Sequence, residues 1–88
     1  MELKFKGQFI RDIDVSNKAL LHEVKAAIDN VKAAKTIAQI AQLKKLRSYE
    51  TLYRIKVAKD YRIGVVIRNE VVWFVRFGHR NNIYKRFP

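Results

Sequence analysis

The sequence predicts an α+β fold of order β-α-α-β-β-β, with a helical layer packed on one face of a small, mostly antiparallel sheet. Three observations carry this expectation. A single apolar stripe at helical spacing runs from Leu20 to Val31. Three runs after Thr51 alternate as strands do. Helical and strand segments are segregated rather than interleaved, which is the layout of a helical layer on an antiparallel sheet. At 88 residues, half of them apolar, the chain is long enough for one core and too short for two, so 1–88 reads as a single domain.

Each element follows from its residues. Leu3 and Phe5 alternate with Glu2, Lys4 and Lys6, predicting a short strand that ends at Gly7. Phe9, Ile10 and Ile13 have helical spacing, so a helical turn or two spans Gln8 to Ile13. Ser16 is the expected N-cap of the next segment. There Leu20, Val24, Ala27, Ile28 and Val31 form the stripe of an amphipathic helix of about 17 to 19 residues, with His22 exposed. Thr36 and Gln39 have capping-box spacing, predicting a further short helix to about Ile40. Leu43 and Leu46 fit either an extension of that helix or an extended connection. Three strands follow: Thr51 to Val57, Tyr61 to Ile67 and Val71 to Phe77. The last is apolar on both faces except at Arg76, as a central strand would be. Gly64, inside a strand, marks a close approach. Gly78 ends the third strand, and Pro88 closes the chain.

Side chains alternate across a strand, so the even positions of these runs share a face. They are Arg54, Lys56, Arg62, Arg68 and Arg76, with Arg80 just beyond. A turn centred on Lys59 sets Lys56 opposite Arg62 and Arg54 opposite Gly64; a turn centred on Asn69 sets Arg62 opposite Arg76. Like charges across a sheet repel, so folding alone gives no reason to gather them, whereas an anion does. A solvated basic face is the competing explanation. The Lys44, Lys45 and Arg47 cluster adds charge near the first of these strands.

The formal net charge is +11, and it is spread along the chain: 10 Lys/Arg against 5 Asp/Glu in residues 1–49, and 9 against 3 in residues 50–88. A folded surface, not a tail, must therefore meet the polyanion, whether nucleic acid, acidic protein or anionic membrane. Six of the nine cations in the second half are Arg, suited to bidentate phosphate contacts. With no cysteine there is no disulfide framework, thiolate metal site or cysteine nucleophile. No stretch is apolar enough for a membrane span, and the N-terminus lacks the apolar core of a signal peptide, so a cytoplasmic location is expected.

Absent motifs narrow the chemistry further. Three scattered glycines make no phosphate loop, His22 and His79 make no zinc site, and the sparse carboxylates suit no two-metal nuclease. No cofactor and no metal are expected. What remains is metal-free phosphate chemistry, which needs a base for a 2′-hydroxyl, cations for a crowded anionic phosphorus and a proton for the leaving oxygen. Lys56, set among other cations, is the candidate base. Arg62 and Arg80 are candidates to hold the phosphate, and Tyr84 to stack on a base or orient the phosphate. Histidine is the residue type best suited to proton transfer near neutrality, yet the parity of His79 turns it away from Arg80. Arg54, Arg76, His79, Lys44 and Lys45 are the further candidates for RNA and phosphate contacts.

From Leu43 to Pro88 the chain resembles the RelE/ParE superfamily, the toxins of type II toxin–antitoxin systems. The resemblance rests on Leu43-Lys44-Lys45-Leu46, Tyr53-Arg54-Ile55-Lys56-Val57, Asp60-Tyr61-Arg62-Ile63, and Gly78-His79-Arg80 followed by Ile83-Tyr84. It implies a RelE-like fold and a ribosome-dependent endoribonuclease that cuts mRNA without metal, leaving a 2′,3′-cyclic phosphate and a 5′-hydroxyl. The paired basic residues of the family fall on Arg54 and Lys56, its strand arginines on Arg62 and Arg80, and its C-terminal tyrosine on Tyr84. Arg54 departs from the lysine expected there, which leaves the base to Lys56; the exit from Arg80 to Tyr84 is short. The implied partners are a cognate acidic antitoxin, forming a hetero-oligomer, and mRNA in the decoding site of the ribosome. Two alternatives stand beside this: a ParE-like inhibitor of DNA gyrase without catalysis, and a non-toxic RNA-binding module.

Overall fold

Alternation at the N-terminus becomes strand β1 (Glu2–Phe5) in the computed structural model, which describes residues 1–47 and 49–87. Pro88, expected to close the chain, lies outside the described residues. Helices α1 (Gly7–Asp14) and α2 (Lys18–Ala33) follow, then β2 (Leu43–Lys45), β3 (Leu52–Val57), β4 (Tyr61–Arg68) and β5 (Val71–His79). Among the described residues the strands form one sheet in the order β1-β5-β4-β3-β2. β1 runs parallel to β5, and the other pairings are antiparallel. The α+β class and the mostly antiparallel sheet hold.

The stripe of α2 does what its spacing predicts: Val24 and Val31 are buried, and His22 is exposed. With Phe9 of α1 they cover Ile63, Val65 and Phe74 of the sheet. Phe9, Ile63 and Phe74 are fully excluded from solvent; burying a side chain of this size favours folding by about 1.5–3 kcal/mol.

The caps differ from expectation. Asn17, not Ser16, caps α2, its Oδ1 accepting from Leu20 N at 2.9 Å, while Ser16 Oγ turns back to the Asp12 carbonyl. After α2 there is only a 3-10 turn, Ile37–Gln39, in place of a short helix. Thr36 makes no capping bond; instead Gln39 Oε1 accepts from Lys35 N at 2.7 Å. Leu43 to Lys45 takes the extended alternative and adds an edge strand to β3.

Two hairpins set the register. Residues 58–60 turn β3 into β4, so Lys56 lies opposite Arg62 and Arg54 opposite Gly64, as expected. The second turn is centred between Asn69 and Glu70, both at positive φ, the conformation that follows the twist of a two-residue hairpin. Val65 then pairs with Phe74 but Gly64 with Arg76, leaving Val75 as an unpaired bulge residue. The turn centre and the bulge each shift the second register by one residue, so Arg62 lies opposite Gly78, not Arg76. Gly78 does not end β5, which continues to His79.

The face away from the helices is only partly open. A second small core joins Leu52, Val66 and Val75 of that face to Ile83 and Phe87 of the C-terminal segment. Gly64 lies beneath Phe87, where a Cβ would come within 2.7–2.9 Å of three ring carbons. The close approach expected at Gly64 is that of a side-chain ring.

A basic row on the open sheet face

Lys56, Arg62 and Gly78 form one row across β3, β4 and β5. Residues directly opposite have Cβ atoms about 5 Å apart, so the Lys56 and Arg62 side chains leave the sheet side by side, and Gly78 adds none to the row. Beyond Gly78 the chain is tied to the β3–β4 turn, Arg80 N donating to the Asp60 carbonyl at 2.8 Å. The Arg80 side chain rests against the Asp60 carboxylate at 3.5 Å, with both groups largely in solvent. Arg62 Nη1 donates to the carbonyls of Lys59 and Tyr61, which ties its guanidinium to the same turn.

The short exit is spanned by a 3-10 turn, Ile83–Lys85. Ile83 and Phe87 are buried on either side of Tyr84, which stays 49% exposed. Anchors before and after it thus hold the phenol at the surface of the sheet face that bears the row.

The other candidates divide. Lys44 lies opposite Arg54 in the next row of the same face, and Arg54 Nη1 is held by the Gln42 carbonyl at 2.8 Å. Lys45 pairs with Tyr53, whose ring packs toward the helices, so strand alternation sends Lys45 to the other face. His79 is opposite Tyr61, with its ring edge-on to the phenol at 5.4 Å, and its Nδ1 accepts from Asn81 N. It works as a local cap, turned away as its parity predicts.

Arg76 is engaged elsewhere. Its Nε and Nη2 donate to the two carboxylate oxygens of Asp12 at 2.8 and 3.2 Å, and Phe77 N donates to Asp12 Oδ2 at 3.0 Å. β1 pairs with β5 only as far as Phe74, and Asp12 takes the edge beyond. Burial pushes the Asp12 carboxyl up, but the bonds from Arg76, Phe77 and Gln8 and the guanidinium charge outweigh it and hold the group below its usual range. This removes Arg76 from the phosphate-binding candidates on physical grounds: its charge is already matched.

The row has more cation than counter-charge. Among the described residues Lys44, Arg54, Lys56 and Arg62 make no ion pair with a carboxylate. Asp12 and Asp60 are the residues that sequence reasoning missed. Asp60 was findable as the carboxylate of the turn that brings Arg62 and Arg80 together; Asp12, 64 residues from its partner, left no signal. No three His, Asp or Glu side chains among the described residues gather as a metal site would need.

No protein-family model matches the chain. It is 28% identical over 89 residues to Toxin RelE3 of Methanocaldococcus jannaschii, covering all of both chains. The crystal structure of a RelB–RelE antitoxin–toxin complex from Methanococcus jannaschii superposes with a TM-score of 0.80 at 26% identity, covering 97% of this chain and 99% of that one. YafQ from E. coli superposes with a TM-score of 0.75 over 94% of this chain and 97% of its own, at 15% identity, a likeness of fold alone.

Proposed function

We propose that this chain, a member of the RelE/ParE superfamily and the toxin of a type II toxin–antitoxin system, acts as a metal-independent endoribonuclease on mRNA held in the ribosome. The observation that carries this is the register that lines up Lys56 with Arg62 and leaves Arg80 and the exposed Tyr84 beyond them. Cations brought side by side on adjacent strands suit a phosphate.

In this reading the 2′-hydroxyl gives its proton to Lys56 and attacks the neighbouring phosphorus. The 5′ oxygen leaves and takes a proton from water on the open face, giving a 2′,3′-cyclic phosphate and a 5′-hydroxyl. Arg62 and Arg80 hold the non-bridging oxygens as charge builds on them, and Tyr84 stacks on a flanking base. Arg80 exchanges Asp60 for the phosphate, which costs little because an exposed pair contributes about 1 kcal/mol or less. Arg54 and Lys44 extend the phosphate track toward the β2 edge. The antitoxin is an acidic protein that binds this toxin, as RelB binds RelE in the archaeal complex.

The test is primer extension on mRNA in a reconstituted translation mixture. Arg62→Ala and Arg80→Ala each lower cleavage about a hundredfold or more, and chelation of metal changes cleavage only through the ribosome. Full cleavage by both variants would reject the assignment, and DNA breaks in place of mRNA cuts would move it to gyrase.

A further inference from the structure

The far end of the same sheet face carries a second group of cations that the row does not use. Trp73, the only tryptophan of the chain, lies on β5 opposite Val66 on one side and Lys4 on the other. Two ammonium groups sit over its ring, Lys6 Nζ at 4.5 Å and Lys4 Nζ at 5.1 Å from the centroid. Arg68, at the end of β4, joins them around a groove of about 380 Å³ floored by Val66, Val75 and the indole. Among the described residues none of the three cations is ion-paired with a carboxylate. Glu2 shares their parity on β1 and bridges to none of them.

Lysines on an edge strand commonly guard it against pairing with another chain. That role explains exposed ammonium groups, but not two of them drawn onto one ring with a guanidinium beside it. A planar ring walled by cations is the arrangement that takes a nucleobase on the ring and phosphates on the wall. An acidic peptide supplies the charge but nothing flat to stack. Trp73 is five residues before Gly78 on β5, about 16 Å at strand rise, and the bulge at Val75 between them turns both to one face, at the reach of one short RNA segment.

We propose that Trp73, Lys4, Lys6 and Arg68 form a second binding site for single-stranded RNA, with an unpaired base stacked on the indole and the flanking phosphates held by the three cations. When phosphates draw the ammonium groups outward, the ring face that they cover becomes free for the base. The site is separate from the row and stands whether or not the row cuts RNA.

The single tryptophan makes the site its own reporter. The full chain is titrated with an unstructured ten-nucleotide RNA while indole fluorescence is followed. Saturable quenching is expected. In Lys4→Ala/Lys6→Ala, whose exposed side chains are not part of the core, affinity falls about tenfold at low salt, and the slope of log affinity against log salt becomes shallower by about 1.4, that of two lost phosphate contacts. Arg62→Ala/Arg80→Ala keeps the quenching while losing ribosomal cleavage, which separates this site from the row. Three results would overturn the proposal: no quenching, quenching and affinity unchanged in the lysine variant with an intact circular dichroism spectrum, or equal binding and quenching by a poly-glutamate of the same length. The last would make the groove a docking surface for an acidic protein.

Discussion

The Asp12 carboxylate closes the edge of β5 beyond its pairing with β1, because it satisfies both the Arg76 guanidinium and the Phe77 N–H. Its folded pKa is depressed, so its contribution to stability is present above the unfolded carboxylate value and is lost as pH falls through the folded one. Asp12→Asn should therefore cost about 2 kcal/mol near neutrality, the scale of charged hydrogen bonds lost from a mostly buried site. The gap between wild type and variant should narrow below about pH 4. Denaturant melts at several pH values check this, and an equal gap at pH 7 and pH 3 would refute it. At the row the residue-scale expectation is split by chemistry. Lys56→Ala should lose at least as much cleavage as either arginine variant, and Tyr84→Phe should keep more than Tyr84→Ala if the ring acts by stacking. Arg80→Ala should leave thermal stability nearly unchanged, since its ion pair is exposed. Arg62→Ala should lower it slightly, because the guanidinium holds two turn carbonyls; charge repulsion alone predicts the opposite sign.

Among the elements, the C-terminal segment does two tasks. Ile83 and Phe87 close the second core, and the turn between them presents Tyr84. Gly64 is what lets Phe87 lie flat on β4. Gly64→Ala should displace the ring and cost about 1–3 kcal/mol, the range for overpacking, while lowering cleavage through Tyr84. In a Phe87→Ala background the same change should cost close to nothing, because the clash has been removed; such coupling between residues in contact is what a double-mutant cycle reads. Additive losses in thermal melts would show that Gly64 is needed for some other reason. The bulge at Val75 is the second elemental device. It changes the parity of β5, so that Trp73 before it and Gly78 after it share one face. Without it the strand could not serve both the indole site and the row.

At the scale of the molecule, a charge of +11 on 88 residues predicts that binding to a nucleic acid is driven by counterion release. Affinity for ribosomes should fall steeply between low salt and roughly 0.3 M, as measured by co-sedimentation; binding that ignores salt would count against a phosphate-binding face. The same charge calls for an acidic partner to neutralise it. Co-expression with the product of the adjacent reading frame should give a complex that purifies together. No helix among the described residues is long and apolar enough to cross a membrane.

What the sequence determined by itself is what depends on near neighbours in the chain. The α2 stripe, the alternation of β3 and β4, the register of Lys56 with Arg62 and the exposure of His22 follow from periodicity and turn length, which are local. The resemblance to RelE toxins was legible for a related reason: its motifs are short runs whose order survives in one dimension. Only the tertiary structure decided the rest. The parallel pairing of β1 with β5 and the Asp12–Arg76 bond join residues more than sixty positions apart, at a distance where side-chain pattern carries no record of contact. A bulge of one residue reverses every face assignment beyond it, and together with a turn centred between Asn69 and Glu70 it sets Arg62 against Gly78 and not Arg76. Phe87 over Gly64, and two lysines over Trp73, are close packing between distant segments. Composition can supply a ring and a charge, but only the folded sheet brings them to 4.5 and 5.1 Å.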